Sequence, residues 1–381
     1  MAPEIALSGL ENLPKDYTVL DPMSGSGMVL GTAAKLGLSS IGYDLDPLAC
    51  LVSRVNGTKI DDEKARKACD TLLSVCGQIE PDVVTLPWVD EETQSYMDFW
   101  FAPKQQAQLK VLSQCLVNQP FTSNRKLLDV LKVAVSRLIV TKEPKASLAR
   151  DTAHSRPHRT ILQNDFDVIG ALPKSLDHVL RALDAERIRI DVKAYRGDAR
   201  RIGRVRDATV DSIVTSPPYL NAIDYMRGHR LSLVWLGYSV AHLRSVRARS
   251  VGAEIVDNCE IDEEIQSFFA KLHDDVDQKK RKMLRRYYRD LRGLTNEAYR
   301  VLKPGRRATY VIGNSRIKGH EIANSELLTL AAQKVGFEIV EQTVRDIPEN
   351  RRYMPLSNSE GTTLAKRMRT EHVLVFEKAH Q

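Results

Sequence analysis

Five consecutive residues, Thr215-Ser216-Pro217-Pro218-Tyr219, combine fixed hydrogen-bond acceptors with a flat aromatic ring. They follow Asp211-Ser212-Ile213-Val214, which is typical of a short buried strand, so they occupy the loop leaving that strand's carboxyl end. Two successive prolines fix φ and remove two backbone donors, which leaves the carbonyls of Ser216 and Pro217 with little local competition for them. Such acceptors beside a stacking surface suit a planar ring that carries an amino group. For these five residues alone, the alternative is an ordinary proline turn with a buried tyrosine.

A glycine-rich turn, Asp21-Pro22-Met23-Ser24-Gly25-Ser26-Gly27, lies near the start of the chain. It separates a predicted strand, 17–20, from a predicted helix, 28–36, that Gly37 ends. Glycines let the backbone turn sharply and approach a ligand, and the following helix N-terminus offers N–H groups to a carboxylate or phosphate. The pattern predicts the first half of a nucleotide-binding α/β unit. A dinucleotide enzyme is a poor fit, because the third glycine of its fingerprint is missing.

Two carboxylates, Asp44 and Asp46, close the next predicted strand, 40–43. An acid about 20 residues after the glycines can accept hydrogen bonds from ribose hydroxyls, which favours Asp44 for this role. A solvated loop acid is the plainer alternative. Asp46 stands before Pro47, the predicted first residue of a helix that runs to about 55, and is therefore expected to cap that helix.

The remaining elements must bring these loops to one place. Apolar residues three and four apart predict helices at 61–77, 104–117, 126–140, 220–237, 274–301 and 325–335. Strands are predicted at 188–194, 211–214, 307–312, 337–344 and 372–376, the last two as an antiparallel edge. We therefore predict an α/β fold: a Rossmann-like, mostly parallel sheet with an antiparallel last strand and a large helical insertion.

Composition limits the compartment and the partners. Lys plus Arg number 56 against 49 for Asp plus Glu, so the net charge is +7, which is compatible with a polyanionic partner without proving one. The five cysteines are odd in number and form no C-x-x-C pair, which predicts reduced thiols in the cytoplasm and disfavours a disulfide framework or zinc knuckle. The most apolar stretch, 127–140, is broken by Lys132 and Arg137, so no membrane span is expected.

Four basic stretches could contact phosphates. The helix at 274–301 carries Lys279, Lys280, Arg281, Lys282, Arg285, Arg286, Arg289 and Arg292. The loops at 142–159 and 351–355 are also basic, and 244–250 is predicted as a basic loop. A phosphate-binding surface and an ordinary solvated face are both open for the helix.

The glycine turn, Asp44, Gly197-Asp198 and the Thr215–Tyr219 element together resemble the S-adenosylmethionine-dependent DNA amino-methyltransferases of the S-P-P-Y type. That family methylates the exocyclic nitrogen of cytosine (N4) or adenine (N6). The matching parts, 17–56 and 188–377, cover most of the chain outside the insertion. The resemblance implies a cofactor-binding half at 1–60, a helical insertion and possible target-recognition region at 61–185, and a catalytic half at 186–381, as in one of the family's permuted orders.

The resemblance also implies a role for each matched residue. The methionine end of S-adenosyl-L-methionine would be held by Asp21, Pro22, Ser24, Gly25 and Gly27, its ribose by Asp44, and its adenine amino group by Asp198. The target base would be held by Ser216, Pro217, Pro218 and Tyr219. A serine before the prolines favours cytosine N4, with adenine N6 as the alternative. No metal is implied, and the spacing of the sequence shows no metal-ligand cluster.

Duplex DNA is the implied partner, with the target base flipped out of the stack. The resemblance leaves open a restriction–modification system with a cognate restriction nuclease. An RNA base amino-methyltransferase is a rival, although those enzymes more often carry an acid or Asn before the prolines and an appended RNA-binding module. A nucleic-acid-binding relative without catalysis is another rival.

Relatives usually carry a segment before the first strand, and only residues 1–16 precede it here, so we expect an abbreviated segment or an internal start.

Overall fold

A computed structural model describes residues 3–139, 145–149, 158–183, 188–220, 224–253, 263–347 and 370–380. The chain forms two compact units. The first comprises 1–45, 192–223 and 248–381, and the second comprises 46–191 and 224–247. The predicted basic loop at 351–355 and most of the one at 142–159 lie outside the described residues.

The first unit contains a seven-stranded sheet and a separate hairpin. The strands are β1 (Thr18–Asp21), β2 (Ser39–Asp44), β3 (Lys193–Arg196), β4 (Val210–Thr215), β5 (Leu302–Ile312), β6 (Ser315–Ile317), β7 (His320–Ile322), β8 (Phe337–Asp346) and β9 (Thr370–Lys378). The sheet order is β3-β2-β1-β4-β5-β9-β8, and β6 pairs with β7. Strands β1 to β5 are parallel, whereas β9 runs antiparallel to both of its neighbours. The predicted Rossmann-like sheet with an antiparallel last strand is confirmed.

Both faces of this sheet are buried, and neighbouring residues of one strand serve opposite faces. Val19 and Val214 pack in one cluster with residues of α1 (Pro3–Ser8) and α2 (Met28–Leu36). Leu20 and Ile213 pack in the other cluster, together with α11 (Gln266–Ala270), α12 (Gln278–Val301) and α13 (Asn324–Lys334). This alternation follows from the two-residue period of a strand. The result is three layers, in which the carboxyl ends of the parallel strands share one edge.

The second unit is helical in the residues that the structure describes. Its helices are α3 (Pro47–Asn56), α4 (Asp62–Cys76), α5 (Glu91–Trp100), α6 (Pro103–Ser113), α7 (Arg125–Ser136), α8 (Val168–Leu183), α9 (Tyr225–Leu233) and the larger part of α10 (Val240–Arg249). The cap prediction is confirmed, because the Asp46 carboxylate accepts from the N–H groups of Leu48 and Ala49. Among the described residues, no helix has both the length and the apolar character needed to cross a membrane.

Two local predictions are wrong. The third strand was expected at 188–194, but β3 covers Lys193–Arg196, because Ile188 is buried in the helical unit instead of the sheet. The stretch 244–250, expected as a loop, lies mostly in α10, where Leu243 and Val246 are buried at helical spacing and the basic side chains cover the other positions. In both cases an apolar or basic run is compatible with more than one element, and packing decides between them.

Candidate active site

The predicted site residues follow four neighbouring strands. Asp21 ends β1, Asp44 ends β2, Gly197-Asp198 follows β3, and Ser216 follows β4. Because β3, β2, β1 and β4 are adjacent and parallel, their carboxyl ends meet at one edge of the sheet. The order reverses direction between β1 and β4, and ligands of open α/β sheets bind in the crevice at such a point. The eleven predicted residues are therefore brought together at the edge where a ligand is expected.

Two main-chain N–H groups of the glycine turn donate to the end of β2, one to a main-chain carbonyl and one to a carboxylate. Ser24 N donates to Tyr43 O at 2.8 Å, and Gly25 N donates to Asp44 Oδ2 at 2.9 Å. Gly25 and Gly27 have φ values of 50° and 79°, in the left-handed region that favours glycine. The turn therefore depends on these glycines, and one oxygen of the Asp44 carboxylate accepts from it.

Asp21 is a buried carboxylate that joins the glycine turn to the loop after β4. Its Oδ1 accepts from Thr215 Oγ1 at 2.7 Å and from Met23 N at 3.1 Å. Burial raises the pKa of Asp21 to about 7, and the two hydrogen bonds lower it only in part, while the nearby charge of Asp44 raises it further. A buried carboxylate whose hydrogen bonds come from neutral donors is suited to a positively charged ligand group.

Asp198 lies beside Asp44, because Gly197 N donates to the Asp44 main-chain carbonyl at 3.0 Å. Its carboxylate accepts from Arg200 three times: Oδ1 from the main-chain N and from Nε, each at 2.9 Å, and Oδ2 from a guanidinium nitrogen at 2.7 Å. Although burial alone would raise it, the hydrogen bonds and charge of Arg200 hold the pKa of Asp198 below its usual value. Arg200 also pairs with the buried Asp290 of α12, so it fixes Asp198 to the helix layer.

Three neighbouring elements hold the S-P-P-Y loop. Ser216 Oγ donates to the Val311 carbonyl of β5 at 2.9 Å. Tyr287 Oη of α12 donates to the Pro218 carbonyl at 2.9 Å. Ser315 Oγ of β6 donates to the Leu220 carbonyl. Within the described ranges, no donor forms a hydrogen bond with the Pro217 carbonyl.

Tyr219 is partly buried, and its hydroxyl donates to Glu371 Oε2 at 3.3 Å. Glu371 lies near the start of β9 and is only 6% exposed. Its other carboxylate oxygen accepts from Arg345 Nε at 2.6 Å. Sequence reasoning misses Arg200, Tyr287 and Glu371. Tyr287 and Glu371 act on the site from distant parts of the chain. Arg200 is only two residues from Asp198, but an arginine after a Gly-Asp turn forms no motif that assigns it a role.

Two relatives of known class match most of this chain. No family model matches the chain. The chain is similar to the Type II methyltransferase M.BsoBI of Geobacillus stearothermophilus, with 22% identity over 383 residues that cover 86% of this chain and 74% of that protein. It is also similar to the Type II methyltransferase M.MvaI of Kocuria varians, with 22% identity over 395 residues that cover 94% of this chain and 84% of that protein.

Among solved structures, a SAM-dependent methyltransferase from Methanosarcina mazei aligns with 100% of this chain and 99% of that chain, at 11% identity and a TM-score of 0.35. The chain is a homologue of Type II methyltransferases, which confirms its resemblance to the S-adenosylmethionine-dependent DNA amino-methyltransferase family and, with it, S-adenosyl-L-methionine as the cofactor.

Proposed function

We propose that the protein is a site-specific DNA methyltransferase. It moves a methyl group from S-adenosyl-L-methionine to the exocyclic amino group of a base flipped out of duplex DNA, with cytosine N4 favoured. The proposal rests on the position of Ser216–Tyr219 at the end of β4. There the hydrogen bond between Thr215 and Asp21 joins this loop to the glycine turn. The Type II methyltransferases among its relatives support the reaction class.

The residues around the glycine turn fit the cofactor. Its methionine end carries two positive charges, an ammonium and a sulfonium, and Asp21 offers a buried carboxylate whose hydrogen bonds, among the described residues, come from the neutral groups of Thr215 and Met23. The N-terminus of α2, where the N-cap Gly27 supplies no side-chain acceptor, suits the cofactor's carboxylate. When bound, the cofactor supplies an electrophilic methyl group on its sulfonium.

Asp44 and Asp198 would bind the rest of the cofactor. Asp44 would accept hydrogen bonds from the ribose hydroxyls. A carboxylate has about four acceptor positions, and Arg200 uses three of those on Asp198. The position left at Oδ2 would accept from the adenine amino group, and Arg200 would keep Asp198 ionised for that purpose.

The S-P-P-Y loop would activate the target nitrogen. The lone pair of an amino group on an aromatic ring is delocalised, and acceptors that bind its hydrogens pull the nitrogen toward tetrahedral geometry. Ser216 donates its only proton to the Val311 carbonyl, so its oxygen faces a ligand as an acceptor. The Pro217 carbonyl is the second acceptor. After transfer the nitrogen is cationic, and its proton leaves to water or through Ser216.

Tyr219 would stack on the flipped base. Extruding a base costs a few kcal/mol, and stacking on an aromatic side chain returns about 1–3 kcal/mol. The ring is held at its hydroxyl by Glu371, and the preceding carbonyl is held by Tyr287. Fixed positioning of this kind supports in-line transfer, in which geometry supplies much of the acceleration.

The test is nucleoside mass spectrometry of plasmid DNA from cells that make the protein. N4-methylcytosine is expected with the unmodified protein and is expected to be absent, or nearly so, with Ser216→Ala. Ser136→Ala is the matched control, since its hydroxyl also donates to a main-chain carbonyl but lies in α7. This control should methylate normally.

Each other outcome has a defined meaning. N6-methyladenine that depends on Ser216 would overturn the choice of base and keep the reaction. Transfer of labelled methyl groups to RNA and not to DNA would overturn the substrate. An unchanged DNA mark in the Ser216→Ala variant would overturn the role assigned to the loop.

A further inference from the structure

We propose that His273, Asp275 and His320 form a binding site for one divalent transition-metal ion. The Asp275 carboxylate lies between the two imidazoles: Oδ1 is 2.9 Å from His273 Nδ1 and Oδ2 is 3.1 Å from His320 Nε2. One potential ligand atom from each residue lies within 4.8 Å of the other two. None of the three residues takes part in the methyl-transfer site described above, so the ion would have a separate role.

The turn that carries His273 and Asp275 is fixed before any ion binds. Val276, the next residue, is 1% exposed and anchors the turn in the core. Arg281, in the first turns of α12, donates from Nε to the Val276 carbonyl at 2.9 Å and from its guanidinium to the carbonyls of Phe269 and His273 at 3.3 Å. Because these bonds hold the main chain, the two side chains start from a defined backbone.

The third residue is placed by a tight hairpin. Lys318 and Gly319 connect β6 to β7 with φ values of 50° and 88°, as a two-residue turn of the primed type requires. His320 follows at once, and its ring stacks on His273 with centroids 4.0 Å apart. Lys318 Nζ donates to the Asp275 main-chain carbonyl at 2.6 Å, so the hairpin is already joined to the turn.

The donor set determines the class of ion. Two imidazole nitrogens and one carboxylate favour zinc, cobalt, nickel or copper over magnesium or calcium, which prefer oxygen ligands. In a tetrahedral zinc site with bonds of about 2.0–2.1 Å, ligand atoms lie about 3.3 Å apart. Each imidazole nitrogen is within about 0.5 Å of that separation from one Asp275 oxygen, His273 from Oδ1 and His320 from Oδ2, so an ion would either take the carboxylate through both oxygens or keep one of these pairs and bring the other imidazole closer.

Binding needs only small movements of exposed side chains. The stacked imidazoles must tilt so that both ring nitrogens point at the ion, and their side chains are 60% and 37% exposed for His273 and His320. Solvent would complete the coordination, as in sites with three protein ligands. The ion would fasten the β6–β7 hairpin to the start of α12, two elements that also hold the S-P-P-Y loop through Ser315 and Tyr287.

The test uses tag-free full-length protein, stripped with a chelator and titrated with zinc or cobalt chloride. We expect binding to saturate at one equivalent, a rise in melting temperature, and a visible cobalt spectrum of nitrogen and oxygen ligation. His320→Ala and Asp275→Asn should weaken the affinity at least tenfold and remove the thermal shift. Asp274→Asn is the matched control, because this neighbouring carboxylate is also exposed and should leave binding unchanged.

Circular dichroism of the metal-free variants separates loss of the site from loss of the fold. A cobalt spectrum of thiolate ligation, metal affinity in His273→Ala and His320→Ala as high as in the unmodified protein, or binding without saturation at one equivalent would each overturn the proposal. These measurements do not use methyl transfer, so they are independent of the proposed function.

Discussion

Two loops at the same edge of the sheet have opposite chemistry. The glycine turn after β1, with Gly25 and Gly27 in left-handed conformations, leads into the N-terminus of α2, where the first main-chain N–H groups are donors without a side-chain cap. The loop after β4 contains Pro217 and Pro218, which have no N–H groups, and it presents acceptors. One loop suits the carboxylate of a bound cofactor, and the other suits the hydrogens of an amino group.

The two loops are nevertheless connected through one buried hydrogen bond, from Thr215 to Asp21. They can therefore be positioned relative to each other while they contact different reactants. This comparison predicts that the functions separate under mutation: changes in the glycine turn should alter cofactor affinity, and changes in the proline loop should alter the rate of transfer.

The largest expected effect is that of Ser216→Ala on the rate. Loss of one of the two acceptors should lower single-turnover methyl transfer to duplex DNA about 10²-fold, because the amino group is no longer held in line. The dissociation constant for S-adenosyl-L-methionine, measured by calorimetry, should not change. If affinity for the cofactor falls as much as the rate, the two loops are not functionally separate.

Asp21→Asn should have the opposite effect: it should lower the affinity for S-adenosyl-L-methionine and leave the rate of transfer from bound cofactor largely unchanged. The amide keeps an acceptor for Thr215 but removes the negative charge, and a hydrogen bond to a charged group is worth about 1.5–3 kcal/mol. Cofactor affinity at pH 8 should fall by that amount. Asp16→Asn, an exposed acid close to β1, is the control and should bind normally.

The role of Asp21 can also be tested through the pH dependence of folding stability and of cofactor affinity. Because burial raises the pKa of Asp21 from 3.8 to about 7, the folded state binds this proton more tightly than the unfolded state. The carboxyl therefore favours the fold at acidic pH, and that contribution is lost as pH rises from about 4 to 7. A cationic ligand prefers the ionised form, so cofactor affinity should rise by up to about tenfold per pH unit as pH approaches about 7 and then level, with the total rise limited by the charged hydrogen bond to about 1.5–3 kcal/mol.

Asp21→Asn should remove both of these pH dependences, that of folding stability and that of cofactor affinity. It should also raise the melting temperature of the ligand-free protein at pH 8, because the variant no longer buries a charge. A variant that keeps the unmodified protein's pH profile for cofactor binding would assign that profile to another group.

Gly25→Ala tests the backbone of the turn. A methyl group has room, since the nearest atom is the Met23 carbonyl oxygen at 4.0 Å, but φ is +50°. The cost is therefore conformational, about 1–2 kcal/mol of unfolding free energy. Gly203→Ala is the control, because its added methyl meets nothing within 4 Å and its φ is not in the left-handed range. A denaturant titration that shows equal losses in both variants would contradict this account.

Parts of the site that depend on adjacent residues could be predicted from the sequence. The glycine turn, the Asp46 cap and the proline loop each follow from the conformational limits of residues next to one another. The parallel order of strands followed from the succession of strands and helices. Residues whose roles arise from distant contacts could not be found: Arg200 reaches Asp290 across 90 positions, and His320 meets Asp275 across 45.

The basic helix α12 shows a second limit. Composition presents its cations as one surface, but Arg281 and Arg286 donate to main-chain carbonyls inside the first unit. Lys279, by contrast, is exposed. Charge in a sequence does not distinguish an arginine that satisfies buried carbonyls from one that faces phosphates, because both kinds fit the same helical pattern.

Glu371 is the contact that sequence reasoning had least chance of finding, since 152 positions separate it from Tyr219, and it gives the smallest predicted effect. Glu371→Gln weakens a hydrogen bond of about 0.5–1.5 kcal/mol, so the KM for DNA should rise a few-fold with little change in cofactor affinity. Tyr219→Phe removes the same bond from the other side, and combining both changes should add nothing. An additive double variant would show that Glu371 acts through Arg345 and the sheet instead of through the ring that stacks on the base.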